Sequence, residues 1–301
     1  MKARALLLAW CALLLCAGCE EAGGFDARAE SDRLQGVIDK LYAQGPQSGD
    51  ADTSELEELL ESYTPAQFLA IARVGDLSWY GRVEWFPSTA SGWAFYRFEI
   101  CARERDTRAE AFAAATNVAL SDDCPPLLLT MLAGVVFGGT SPKGLADAGV
   151  SLDEQMEWMR KLLALFDEED TRTLRDVVHH APHTWAYIRN RPASGEAPPD
   201  IQQRLDEMEG ELIDRLTSVA ADTEVPGVIR GRAIRPLCED WLPQAYRERI
   251  LDALTKIAEE PTETLIPDLA RDVAGAFRKL GAEDRITPYL STLSRQEPGR
   301  H

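Results

Sequence analysis

The chain has little positive charge for its size. Its 301 residues include 32 Lys and Arg against 50 Asp and Glu, which gives a formal net charge of −18 at pH 7. A protein that binds nucleic acid needs a basic face to contact the phosphates, and a protein that binds an anionic lipid surface uses basic segments. The composition therefore argues against a nucleic-acid ligand and against a protein that lies flat on anionic lipid. It favours solubility, and it permits attraction of a basic partner.

Motifs of common catalytic sites are also missing. The sequence has no glycine-rich phosphate loop and no nucleophile elbow, and beyond Cys19 it has no Cys-x-x-Cys pair. Gly134, Gly138 and Gly139 lack the Lys-Ser/Thr dipeptide that completes a phosphate site. No cofactor is predicted, and binding is favoured over catalysis, although catalytic groups can lie far apart in sequence.

Histidine is scarce, and three of the four histidines lie close together as His179, His180 and His183. Because His179 and His183 are four residues apart, one helix face can carry both toward a metal ion. Pro182 lies between them and would kink that helix, and no acidic residue within the cluster supplies a general base. Surface or packed histidines are the favoured interpretation. The alternative is a periplasmic enzyme, metal-assisted at His179 and His183.

Long hydrophobic runs are absent as well. Residues 6–15 are apolar, but this run is too short for a membrane-spanning helix of about 20 residues. Lys2 and Arg4 precede it, and the small residues 17–18 followed by Cys19 come after it. This order is typical of a signal peptide.

The end of this segment, Leu-Cys-Ala-Gly-Cys at residues 15–19, resembles the lipobox of bacterial lipoproteins. Cys16 departs from the family pattern, which usually has Leu at that place. The resemblance implies removal of residues 1–18 and acylation of Cys19, and two or more acyl chains anchor a protein stably. In lipoproteins, Asp directly after the acylated Cys favours retention in the inner membrane. The corresponding residue here is Glu20, which favours the outer membrane. The alternative is an ordinary signal peptide and a soluble periplasmic protein.

The mature chain would contain three further cysteines, Cys101, Cys124 and Cys238. Because the periplasm is oxidising, we expect two of these cysteines to form a disulfide and the third to remain a thiol. Cys101 and Cys124 are the nearer pair, and a bond between them would add about 3 kcal/mol to stability. The alternative is three buried thiols that act as small apolar groups.

Helical patterns dominate the remaining sequence. Residues 127–137 are almost wholly apolar and predict a buried helix, and residues 93–100 are also interpreted as helix. Large aromatic residues between positions 79 and 98 are expected to fill a core and leave one or two rings exposed. Three patterns predict helix starts: Ser54 with Glu57, Thr64-Pro65 with Gln67, and Ser151 with Glu154.

The second half of the chain contains an internal repeat. Residues 211–220 match residues 249–258, and residues 285–293 form a third, weaker copy. Leu216, Leu254 and Leu290 are expected at equivalent buried positions, because each copy places apolar residues at i, i+4 and i+7. First helices are predicted at 226–238 and 267–280, and second helices at 244–259 and 286–295.

Paired helices at this period resemble HEAT-like or armadillo-like α-solenoids, in which neighbouring hairpins cover each other's apolar faces. The resemblance implies an all-α fold, an α-solenoid of HEAT-like hairpins with a less regular helical N-terminal half. The alternative is a non-repetitive helical bundle. The predicted regions are a signal peptide at 1–18, a lipid anchor, tether and short helix at 19–53, a helical region with the aromatic cluster at 54–170, and repeats at 171–301.

The sequence favours a membrane-anchored protein-binding scaffold whose partner is unknown. A variant of this hypothesis has the acidic chain sequester a basic protein. Arg230 and Arg271 recur 41 residues apart, so both are expected on one side of the repeats, as a partner face or as a ladder of salt bridges.

Overall fold

The structure is a computed structural model that describes residues 25–43, 53–75, 77, 88–138, 145, 148–189, 198–239, 242–260 and 265–289. Every regular element in these ranges is helical, which confirms the all-α prediction, and none of them is a strand. No helix in the described ranges is both long and apolar enough to cross a bilayer. Cys19 and Leu290 lie outside these ranges.

The chain divides into two compact units, residues 1–114 and 115–301. The helices of the first unit are α1 (Ala27–Ala43), α2 (Ser54–Glu61), α3 (Pro65–Val74) and α4 (Ala90–Arg103), and the division falls inside α5 (Arg108–Leu120). Helix α3 packs against α1 and α4, and α1 also contacts α2 and α4. The large side chains of this core are Leu34, Ile38, Phe68, Phe95 and Phe98, each no more than 1% exposed.

The second unit contains longer helices that alternate in their packing. They are α6 (Pro126–Gly138), α7 (Leu152–Ala164), α8 (Thr171–Arg189), α9 (Pro199–Ala221), α10 (Gly227–Ile234), α11 (Arg247–Ala258), α12 (Pro267–Lys279) and α13 (Glu283–Ile286). Helices α8, α10 and α12 contact one another in succession, and so do α7, α9, α11 and α13. The two series also contact each other through pairs such as α9 with α10 and α11 with α12.

Helices α6 and α7, which precede residue 171, pack directly against helices that follow it. Helix α6 makes its main contact with α8, and α7 packs on both α8 and α9. The repeats are predicted to begin at residue 171, whereas the two compact units divide between residues 114 and 115. The reason is that the apolar helix α6, with Leu128, Leu132 and Val136 fully buried, uses α8 as its cover.

Local capping explains two of the predicted helix starts. Thr64 with Gln67 and Ser151 with Glu154 both form complete capping boxes. A helix also begins at Ser54, as predicted, but its N-cap is Thr53, so the capping box predicted for Ser54 with Glu57 is wrong. The Thr53 hydroxyl donates to Glu57 Oε1 at 2.8 Å, so the carboxylate contacts the side chain of the cap.

Burial follows the 38-residue repeat. Leu212, Leu216 and Val219 of α9 are 0%, 0% and 7% exposed, and Ile250, Leu254 and Ile257 of α11 are 0%, 1% and 1% exposed. In the third copy Ile286 of α13 is 4% exposed. Equivalent residues in successive copies are therefore buried on equivalent helix faces.

Ion pairs recur with the same repeat. Arg249 of α11 pairs with Asp214 of α9, and Arg285 of α13 pairs with Asp252 of α11 through Nη1 and Oδ1 at 3.3 Å. Asp214 and Asp252 occupy matching positions in the repeat, and so do Arg249 and Arg285. Helices α11 and α13 are therefore each joined to the preceding helix of this series by the same kind of bridge.

Candidate functional site

The three clustered histidines lie on α8, which the aspartate before it caps. Asp170 Oδ2 accepts hydrogen bonds from the Thr173 backbone N–H at 2.8 Å and from the Thr173 hydroxyl at 2.7 Å. These bonds lower the pKa of the Asp170 carboxyl. The helix runs from Thr171 to Arg189 and passes through Pro182.

The histidine rings contact each other edge to face. The His179 and His180 ring centroids are 4.8 Å apart, and those of His179 and His183 are 5.0 Å apart. His179 and His183 are exposed, whereas His180 is half-buried against α6. A methyl group built on Gly134 of α6 would lie 2.6 Å from His180 Cε1, so the glycine makes room for this ring.

Burial and neighbouring positive charge lower the pKa of two of these rings. Burial, followed by the charge on His179, lowers the pKa of His180 to about 4. Burial also lowers the pKa of His179, and His183 and Arg232 contribute in the same direction. Asp176 opposes both shifts without reversing them.

His179 and His183 line a cleft between α8 and the segment around α10. The cleft has a volume of about 450 Å³. Its walls include apolar residues and four charged or ionisable groups besides Glu239. The apolar residues are Val178, Pro182, Ala186 and Pro236, and the ionisable groups are His179, His183, Arg232 and Arg235. A protein of strongly acidic composition therefore has a locally basic cleft in this unit.

The cleft does not provide the ligand set of a metal site. Among the described residues, no group of three His, Cys, Asp or Glu side chains could hold a metal ion. Arg232 lines the same cleft, and its positive charge would repel a cation held by His179 and His183. The residues that the structure brings together here favour an anion.

The predicted common face of Arg230 and Arg271 is wrong. Arg230 is 1% exposed: its Nε donates to the Ala220 carbonyl at 2.8 Å, and its guanidinium pairs with Glu260. The Arg271 side chain is 61% exposed and pairs with Asp268 at 3.0 Å on its own helix. Neither pair belongs to the recurring Arg–Asp bridges that link α9 to α11 and α11 to α13.

A one-residue offset in the helix starts explains this difference. In α10 the Arg230 N–H donates to the Pro226 carbonyl, whereas in α12 it is the Ala270 N–H that donates to the Ile266 carbonyl. Arg230 therefore corresponds to Ala270, which is 2% exposed, and the structural shift between these helices is 40 residues rather than 41. One residue rotates a helix face by about 100°.

The other predicted site residues have simpler outcomes. Cys101, Cys124 and Cys238 are all half-buried thiols in the structure. Burial raises the pKa of the Cys101 and Cys238 thiols. The disulfide between Cys101 and Cys124 remains a prediction, and so does the acylation of Cys19.

The aromatic residues that the structure describes behave as expected of a core. Trp93, Phe95 and Phe98 of α4 are at most 9% exposed, whereas Tyr96 is 42% exposed. The Tyr96 and Trp93 rings contact each other edge to face, with ring centroids 6.0 Å apart. The aromatic residues at positions 79–86 lie outside the described ranges.

Sequence reasoning did not identify Arg232 as a site residue. It identified His179 and His183 from their spacing, but Arg232 carries no motif and enters the cleft only because α10 packs against α8. The single available signal is that Arg232 and Arg235 are basic residues in an acidic chain. That signal does not specify a partner helix.

Comparison with known proteins identifies no relative. The sequence matches no family model and no curated protein. A solved structure from the computational design of self-assembling cyclic protein homooligomers is 12% identical, with 90% of this chain and 96% of that chain covered. Its TM-score is 0.21, and at that value the likeness carries no argument about fold or function.

Proposed function

We propose that this chain is a lipid-anchored protein of the bacterial cell envelope whose second unit binds a protein partner. Acylated Cys19 would tether it, in the outer rather than the inner membrane. The helices from α7 to α13 would form a HEAT-like solenoid, and the cleft between α8 and α10 would contact the partner.

The sequence order at the N-terminus supports the anchor. Basic residues at 2 and 4, an apolar run at 6–15 and a small-small-Cys ending at Cys19 are the features that a lipoprotein signal peptide requires. A mature chain without residues 1–18 would carry 30 basic against 50 acidic residues, a net charge of about −20. Such a chain gains little from electrostatic attraction to anionic lipid, so acyl chains would supply its membrane affinity.

Packing and periodicity support the solenoid. Two series of alternate helices contact one another in succession, and the apolar positions of the 38-residue repeat are buried in each described copy. The bridges from Arg249 to Asp214 and from Arg285 to Asp252 repeat with the same spacing. In helical-repeat proteins such stacking forms extended binding surfaces.

The single observation that carries the binding proposal is the basic cleft. In an acidic chain, two arginines and two histidines converge on an open volume of about 450 Å³ with apolar walls. Convergent polar groups in a concave, partly apolar site are typical of binding sites. The partner would place an acidic group in this cleft, which differs from the hypothesis that the chain sequesters a basic protein.

Site-specific photo-crosslinking in living cells tests this function. A photo-reactive residue replaces Glu239, which is exposed at the cleft and has only a 3.8 Å contact with Lys279. The matched control carries the same residue at Lys256, which is exposed on α11. We expect one discrete adduct from position 239 that is absent from position 256. Equal adducts from both positions, or none from position 239, would contradict a partner at the cleft.

A further inference from the structure

We infer that the cleft binds an oxyanion, a carboxylate or a phosphate group, between Arg232 and the imidazole rings of His179 and His183. The inference rests on the proposed function, because it treats this cleft as the contact surface. It adds the chemistry that the surface recognises, and the experiment below measures that chemistry without any partner.

Uncompensated positive charge is the first observation. Arg232 is half-buried, and no ion pair joins it to another residue of the described ranges. The described carboxylates around the cleft pair with cations other than Arg232, one of which, Arg235, also lines the cleft. They pair as Asp176 with Arg175 at 2.8 Å, Asp272 with Arg235 at 3.2 Å, and Glu239 with Lys279 at 3.8 Å. A bound anion would supply the missing partner of Arg232.

The arrangement of the two rings is the second observation. His179 and His183 lie one helical turn apart with their centroids separated by 5.0 Å, and both line the cleft together with Arg232. Arg232 is close enough to lower the pKa of His179. An oxyanion between them would accept hydrogen bonds from the guanidinium and from an imidazole N–H, and its charge would favour protonation of the ring.

The cleft walls are the third observation. Val178, Pro182, Ala186 and Pro236 give the cleft apolar walls. Such a surface accommodates the carbon chain that carries a carboxylate, as in an acidic peptide side chain. A phosphate group would use the same cationic donors but gain less from these walls.

Histidine NMR of the full-length chain tests the inference. The sequence has four histidines, so selective isotopic labelling of histidine gives a spectrum that variants at positions 179, 180 and 183 can assign. The probes are glutarate and inorganic phosphate, titrated separately at constant ionic strength. We expect saturable shifts of His179 and His183 and an upward shift of the His179 pKa at saturation. Arg232→Met should weaken binding about tenfold or more, whereas Arg271→Met should leave it unchanged.

The two probes distinguish the sources of the anion. Saturation by glutarate alone supports a carboxylate ligand, saturation by phosphate alone supports a phosphorylated one, and saturation by both supports the shared oxyanion chemistry. Non-saturable shifts with both probes would overturn the inference, and so would equal binding by wild type and Arg232→Met. If the crosslink at position 239 forms while both titrations fail, only this inference falls; if the titrations succeed without a crosslink, only the partner proposal falls.

Discussion

The backbone of Gly134 lies against the imidazole ring of His180, so that a methyl group at Gly134 would lie 2.6 Å from Cε1 and 3.0 Å from Nδ1 of the ring. This approach joins α6 to α8 and fixes the base of the histidine cluster. We expect Gly134→Ala to lower the free energy of unfolding by about 1–3 kcal/mol because the core is overpacked. Chemical denaturation measures the loss.

Gly138→Ala is the matched control for this contact. Gly138 lies at the end of the same helix and has no atom within 4 Å of the added methyl group. We expect it to change stability by less than about 1 kcal/mol. If the two variants prove equally stable, the close approach of Gly134 to His180 is not formed.

The pH dependence of stability depends on His180. Because its pKa falls from the model-peptide value of 6.5 to about 4 in the fold, the unfolded state binds more protons between these two values. Stability therefore decreases as pH falls from 6.5 to 4, by about 3 kcal/mol from this group. His179, whose pKa is also lowered, acts in the same direction.

Thermal or chemical unfolding across this pH range checks the prediction. His180→Gln should make the free energy of unfolding less dependent on pH. His183→Gln, at an exposed position of the same helix, should keep most of the pH dependence of wild type. A His180→Gln profile as steep as that of wild type would assign the acid sensitivity to other groups.

Arg230 and Arg271 differ in burial, and their replacement should show it. Arg230→Met leaves Glu260 without its buried partner and should cost about 3–5 kcal/mol. Arg271→Met removes an exposed pair and should cost at most about 1 kcal/mol. The double variant Arg230→Met/Glu260→Met should recover more than half of the loss. Equal losses of stability in Arg230→Met and Arg271→Met would instead support the equivalent positions that the sequence predicted for these two arginines.

The repeat predicts equal costs at equivalent core positions. Leu216 and Leu254 are 0% and 1% exposed in consecutive copies, so Leu216→Ala and Leu254→Ala should each cost about 2–5 kcal/mol. Val228, which is 55% exposed, provides the control, since Val228→Ala should cost less than about 0.5 kcal/mol. Denaturant midpoints at unchanged slope measure these differences. A tolerant Leu254 would argue against the stacked arrangement.

Local physics explains which features the sequence could predict. The capping boxes at Thr64 and Ser151 need only residues within one helical turn, and both form as predicted. The burial of Leu216 and Leu254 follows from apolar periodicity, which a helix converts directly into a face. The second helix predicted at 244–259 is present as a 3-10 turn at Gln244–Tyr246 followed by α11. The start predicted at 286 is wrong, because α13 already begins at Glu283 and continues as a 3-10 turn at Thr287–Tyr289.

Features that depend on register or on distant packing could not be predicted. Arg230 is buried because α10 places Pro226 outside the helix, whereas α12 places Pro267 as its first residue, and the sequence echo conceals this offset. The cleft needs α10 to pack on α8, so the histidine spacing predicted two of its residues but not Arg232. The recurring bridge between Arg285 and Asp252 likewise appears only when successive helices are stacked.

The central claim is that Cys19 ties this protein to a membrane, where its second unit acts. The mass and N-terminal sequence of the chain purified from cell membranes test this most directly. We predict a mature chain that begins at Cys19 and carries acyl chains, the same product from Cys16→Ser, and no acylated product from Cys19→Ser. A mature chain that begins at another residue, or an unmodified Cys19 in wild type, would contradict the account.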